Sequence, residues 1–130
     1  MRVLIIALMF TSINVFSQNT NNLEEQLKLK YSEEVIEYLK TNDLERYNFY
    51  LSELKSSFEF VDLNPNLKYN ELIPYDFINK QEKTPPEFSE ASFSLYNYKF
   101  IRYKGKDIVY RIPNSTQGIL IYSKEKFTSK

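Results

Sequence analysis

Apolar positions change their period along this chain, and the changes mark out its elements. Residues 3–10 are an unbroken apolar run, VLIIALMF. After a polar stretch at 18–22, Leu23, Leu27, Tyr31, Val35 and Tyr38 recur at helical spacing, and Ile36 and Leu39 widen the stripe. Asn22 stands as a cap with Glu24 and Glu25 behind it, and the helix can restart at Ser32. Thr41-Asn42-Asp43 interrupts the pattern. Leu44, Tyr47, Leu51, Leu54 and Phe58 then form the seam of another helix, which Asp43 can cap. So short a break predicts two helices packed as a hairpin.

Residues 58–63, FEFVDL, are rich in β-formers and are a candidate strand. Residues 64–91 hold four of the five prolines, Pro65, Pro74, Pro85 and Pro86. Leu67, Leu72, Ile73, Tyr75, Phe77 and Ile78 predict that this stretch wraps on the core, with a helical turn near 75–79. The last third predicts a three-stranded antiparallel meander of residues 93–103, 108–112 and 119–123. Both glycines of the chain, Gly105 and Gly118, fall in its turns, where positive φ is wanted. Setting Tyr103 against Ile108 and Ile112 against Ile119 puts Ile101, Tyr103, Ile108, Tyr110, Ile112, Ile119 and Ile121 on a core face. Phe100, Arg102, Val109, Arg111, Leu120 and Tyr122 take the opposite face. The predicted fold is α+β, an N-terminal helical hairpin packed on a C-terminal three-stranded antiparallel meander, with residues 58–63 as a fourth short strand.

The N-terminal run has a use outside the fold. Met1-Arg2 is a short positive start, and Val15 and Ser17 precede a cut after Ser17, the three-part form of a secretory signal peptide. A membrane-spanning helix needs about 20 apolar residues, and this segment breaks up after roughly half that. The expectation is a cleaved leader at 1–17, export to the periplasm or beyond, and one domain over 18–130. Of 130 residues, 113 would remain. That is enough chain to bury roughly 65% of its unfolded surface, with all 11 Tyr and eight of the 10 Phe to build the core.

Composition then removes several chemistries. With no Cys there are no disulfides and no acylated lipoprotein cysteine; with neither Cys nor His, zinc and copper sites of the usual kind and Ser–His or thiolate catalysis are excluded. The 17 Lys and Arg, less Arg2, against 17 Asp and Glu leave one net negative charge, which argues against a nucleic-acid partner. No further segment is apolar enough to span a bilayer. Asp62-Leu63-Asn64-Pro65-Asn66 echoes a calcium loop, but Leu67 and Ile73 stand where Gly and Glu are needed. Glu87 and Glu90 are the nearest carboxylate pair, in a loop with no sign of a cleft. Asn114-Ser115-Thr116 matches a glycosylation pattern and is ordinary turn chemistry. No catalytic residue, cofactor or metal site is assigned.

The surface that does stand out is the second sheet face. There Arg102 and Arg111 sit among Phe100, Tyr122 and Tyr98, the composition of a binding hot spot. The meander edge at 119–123 is a further place where a strand could be accepted. The functional expectation is an exported, non-catalytic binding or structural module of the cell envelope that engages a protein or peptide partner. The alternative is a small-ligand carrier with a pocket between helices and sheet.

Three stretches carry a resemblance. The leader ending Phe16-Ser17-Gln18-Asn19, the tail from Tyr110 to Ser123 followed by Glu125 and Phe127, and Tyr47-Asn48-Phe49-Tyr50 leading into 57–61 resemble small uncharacterised exported proteins of Bacteroidota. The resemblance implies an exported location and no particular activity.

Overall fold

The computed structural model describes residues 22–128 as four helices and two β-sheets. The expected leader lies outside the described residues. Helix α1 covers 22–27 and ends in a turn at 28–30. Helix α2, Glu33–Asn42, restarts at Ser32, whose hydroxyl accepts from the Val35 N–H. Asp43 then ends α2 with its backbone N–H on the Leu39 carbonyl and opens α3, Leu44–Ser56, by accepting from the Arg46 N–H at 3.2 Å. One residue serves both helices, so α2 and α3 fold back on each other.

The inward stripe of α2 is rotated from the predicted one. Ile36 and Leu39 are buried, while Val35 and Tyr38 are 42% and 63% exposed. Both sets recur at helical spacing one position apart, and packing on α1 and α3 selects the aliphatic set. Leu44, expected in the α3 seam, is likewise exposed, whereas Tyr47 and Leu54 are buried.

Strand β1, Phe58–Asp62, follows α3 after Ser57. It pairs antiparallel with β7, Gln117–Ile121, and β7 pairs antiparallel with β6, Ile108–Arg111. A two-residue strand β2, Asn70–Glu71, adds to β6 in parallel, so the sheet runs β1-β7-β6-β2. The candidate fourth strand is present, and it makes β7 an interior strand. The edge expected at 119–123 is therefore covered on both sides. The β6–β7 register sets Tyr110 opposite Ile119, two residues from the predicted pairing. Because side chains alternate with period two, the slip leaves the faces intact: Tyr110, Ile112, Ile119 and Ile121 are all buried in the core.

The first predicted meander strand is not formed as such. Leu95–Asn97 is a 3₁₀ turn, and only Tyr98–Lys99, β5, is extended and paired, with β3 (Ile73–Asp76) rather than β6. Leu95 and Tyr96 are both buried, and a strand would send two consecutive side chains to opposite faces; a helical turn lets both point inward. Ile101 still meets Tyr110, but through the phenol. The Ile101 N–H donates to Tyr110 Oη at 3.1 Å, and that hydroxyl donates to the Ile101 carbonyl at 3.3 Å. Ile101 itself is exposed.

Residues 64–91 wrap only in part: Leu72 is buried and Tyr75 and Phe77 are half-buried, while Leu67, Ile73 and Ile78 stay exposed. The predicted helical turn near 75–79 is not formed as such: residues 75–76 end β3, and a four-residue turn follows at 77–80. It joins β3 to β4, Gln81–Glu82, in the second sheet, β4-β3-β5. The Asp76 carboxylate organises the turn by accepting from the Ile78 and Asn79 N–H groups and from Asn79 Nδ2. Gly105 has the anticipated positive φ of 83°. Gly118 does not: it lies within β7, and the left-handed position of the second turn is taken by Asn114 at φ 59°. What requires glycine at 118 is space. A Cβ there would lie 3.0 Å from Leu63 Cγ and 3.2 Å from the Val61 carbonyl oxygen. The short final helix α4, Lys124–Thr128, lays Phe127 against the α3 side of the core.

Candidate functional site

Arg102 is where the structure departs most from the expected binding face. Its guanidinium is turned inward, its side chain 13% exposed, and it ties three segments together. Nη1 donates to the carbonyls of Tyr122 at 2.8 Å and Ser57 at 3.3 Å, the ends of β7 and α3. Nη2 donates to Ser57 Oγ at 2.9 Å and reaches Glu53 Oε2 at 3.5 Å. The rings of Phe100 and Phe127 lie 5.6 and 5.1 Å from its central carbon. Burial weakens the guanidinium's hold on its proton, and the Glu53 carboxylate opposes that. Glu53 Oε1 accepts from Tyr96 Oη at 2.6 Å. Burial first, then the Glu53 charge, push the Tyr96 phenol far above its ordinary range. Lys30 sits over the Tyr96 and Phe77 rings, 4.8 and 4.9 Å from their centroids, and desolvation holds its ammonium pKa below the usual value. This cluster locks α3, the 3₁₀ turn and the C-terminal segment together.

The other expected residues are distributed. Phe100 packs beside Arg102. Tyr98 is buried and stacked on Phe93, with ring centroids 5.4 Å apart. Arg111 and Tyr122 do share a sheet face with Val109 and Leu120, as the alternation required, since Val109 stands opposite Leu120 and Arg111 opposite Gly118. Arg111 is half-buried beside Glu71 of β2. Tyr122 is buried and donates to Glu59 Oε2 at 2.8 Å, which raises its pKa. The structure thus keeps Arg111 and Tyr122 on the outer face and removes Arg102, Phe100 and Tyr98 from it.

Beside that outer face lies the feature with the clearest unused bonding capacity, the free edge of β1. Antiparallel strands alternate residues bonded to one neighbour with residues aimed away from it. The Tyr122 N–H donates to the Ser57 carbonyl and the Ile112 N–H to the Gln117 carbonyl. With the β1–β7 and β6–β7 registers, these bonds assign Gly118, Leu120 and Tyr122 to β1, and Gln117, Ile119 and Ile121 to β6. On β1, Ser57, Glu59 and Val61 therefore face β7. Phe58, Phe60 and Asp62 direct their N–H and C=O groups away from the sheet, and β7 is the one strand paired with β1 among the described residues. The Phe58 and Phe60 rings pack with Phe93, and Phe60 also with Phe88, so the strand is anchored from its core side. Glu59 and Asp62 are exposed.

Residues 58–63 had signalled a strand. That it is the edge follows only from the pairing of two segments nearly sixty positions apart (Phe58 with Ile121). Glu53, likewise, has no local mark as the partner of Arg102. Among the described residues, surface grooves of about 500, 600 and 440 Å³ run along the helices and are lined largely by charged and polar side chains, with Phe49 bordering two of them. Among the described residues no group of three or more Asp and Glu is arranged to hold a metal ion, and no helix is long and apolar enough to cross a membrane. Comparison of the chain with protein-family models, with curated proteins and with solved structures gave no match.

Proposed function

We propose that this chain is an exported, non-catalytic module of the cell envelope that engages an extended segment of a protein or peptide partner along the free edge of β1. The observation that carries the reading is the outward row of backbone donors and acceptors at Phe58, Phe60 and Asp62, held on a strand anchored by four aromatic rings. Main-chain bonds from an added strand would complete that row, and the flanking side chains would supply selectivity. The leader-like residues 1–17 and the resemblance to exported proteins support the location. Arg111, half-buried on the adjoining outer face, extends the contact surface, while the buried Tyr122 holds Glu59 and Arg102 serves the fold.

The test is recovery of partners from envelope extract by the wild-type chain and by Asp62→Pro. Asp62 is exposed and its N–H points outward, so proline removes an edge donor and places a ring in the path of an incoming strand while sparing the β1–β7 ladder. The reading expects the variant to retain its circular dichroism and lose the partners. Equal recovery by both forms refutes it.

A further inference from the structure

The charges on β1 bear on what kind of strand its edge would accept, an inference that rests on the edge reading above. A second copy is the first occupant to consider, because a free edge can pair with itself about a two-fold axis. Outward residues must then face outward residues, and three antiparallel registers overlap at least three residues of β1. Centred on Glu59, the pairing sets Glu59 directly against its own copy. Centred on Phe60, Glu59 faces Val61 and lies diagonal to the other Glu59. Centred on Val61, Asp62 faces Phe60 and lies diagonal to the other Asp62. Direct and diagonal neighbours both interact across a ladder, and like charges there are unfavourable. Every such self-pairing therefore places carboxylate beside carboxylate, with no cation on β1 to separate them.

The same arrangement favours a strand of opposite charge. Glu59 projects on the outer face, where its Oε2 accepts from Tyr122. The cation over that tyrosine, Lys126, is 3.3 Å from Asp107. Phe58 and Phe60 offer half-buried rings on the opposite face, and Asp62 stands at the strand end. We infer that the β1 edge takes an extended basic peptide from another protein, running antiparallel, with basic side chains opposite Asp62 and Glu59 and apolar ones opposite Phe60 and Phe58. Read from its N-terminal end, the segment presents a basic residue to Asp62, any residue to Val61, an apolar one to Phe60, a basic one to Glu59 and an apolar one to Phe58. Opposite charges meet across the ladder, and the apolar side chains extend the Phe58–Phe60 row.

Two labelled synthetic peptides test this, one with the core Lys-Thr-Val-Lys-Val and one with Glu-Thr-Val-Glu-Val, titrated into the purified chain by fluorescence anisotropy. The basic peptide is expected to bind and the acidic one to bind at least about tenfold more weakly. Added salt should narrow the gap. Glu59→Lys/Asp62→Lys should reverse the preference, and Glu59→Gln, which keeps an acceptor for Tyr122, should reduce it. Equal binding of both peptides that is lost in Asp62→Pro overturns the charge inference and leaves the edge reading standing. Binding of either peptide that is indifferent to Asp62→Pro overturns the edge reading itself. No binding of the basic peptide at millimolar concentration, or a dimer of the chain dissolved by Asp62→Pro, also overturns the inference.

Discussion

Arg102 Nη2 lies 3.5 Å from Glu53 Oε2, joining α3 to a segment 49 residues later in the chain. Both side chains are largely withdrawn from water, at 13% and 15% exposure. Removing one member of such a pair strands the other charge, which costs far more than the pair contributes by being present. Arg102→Ala also releases the carbonyls of Ser57 and Tyr122 and the Ser57 hydroxyl. The expected loss is about 3–5 kcal/mol in urea unfolding. Arg111→Ala, on the half-open sheet face, should stay within about 0.5 kcal/mol of wild type. A small effect of Arg102→Ala would show that the buried pair does not hold α3 to the C-terminal segment.

Gly118 allows β7 and the Leu63 side chain to approach closely. Alanine must displace Leu63, a flexible side chain, and must also press on the Val61 carbonyl, which is part of the β1 backbone. Gly118→Ala should cost about 1–3 kcal/mol, the usual range for overpacking. Leu63→Ala in the same chain should recover part of it, because the Leu63 contact is relieved and the backbone contact is not. Thermal unfolding of the two variants and their combination measures the coupling.

Alkaline titration should destabilise the fold through its buried phenols. Tyr96 and Tyr31 both have raised pKa values, mainly from burial; Glu53 adds to the shift of Tyr96 and the Tyr50 hydrogen bond to that of Tyr31. The folded state thus binds these protons more tightly than the unfolded chain does. The contribution is complete below the free tyrosine value of about 10 and declines as pH rises above it. Lys30, with its lowered pKa, acts in the opposite sense, and its slope ends near the free lysine value of about 10.4. Above that value stability should fall steeply, and the share of phenolate absorbance that Tyr96→Phe removes should appear together with loss of structure. Tyr96→Phe should flatten this alkaline limb. Phenolate absorbance from Tyr96 in a chain still folded would contradict the assignment.

What could be read from the residues was mostly local. Ser32 and Asp43 cap helices because their side chains reach N–H groups three positions on. Gly105 turns the chain because it alone there tolerates positive φ without cost. The faces of β6 and β7 survived a register shift of two because the strand period is two. The phase of α2 was ambiguous, since Val35 and Tyr38 compete with Ile36 and Leu39 for the same role. The candidate site depended on distant partners. Nothing near residue 102 marks Glu53 as its counter-charge, and nothing near 119–121 shows that β1 will cover that strand and become the edge in its place. Arginine among aromatic residues suits a binding surface and a buried hub equally well, and the choice is made by what packs over it.

Export makes its own prediction. Mass spectrometry of the chain expressed in a bacterial host should find the mature N-terminus at Gln18, with the purified form in the periplasmic or extracellular fraction. Retention of Met1 in cytoplasmic material would contradict the expected leader.

The most direct test of the free edge is residue-resolved amide hydrogen exchange along β1. Glu59 and Val61, bonded to β7, should exchange slowly, while Phe58, Phe60 and Asp62, aimed outward, should exchange quickly. Adding the basic peptide should slow those three and leave Glu59 and Val61 unchanged. Uniformly slow exchange along the strand in the free chain, or outward amides untouched by bound peptide, would contradict the account.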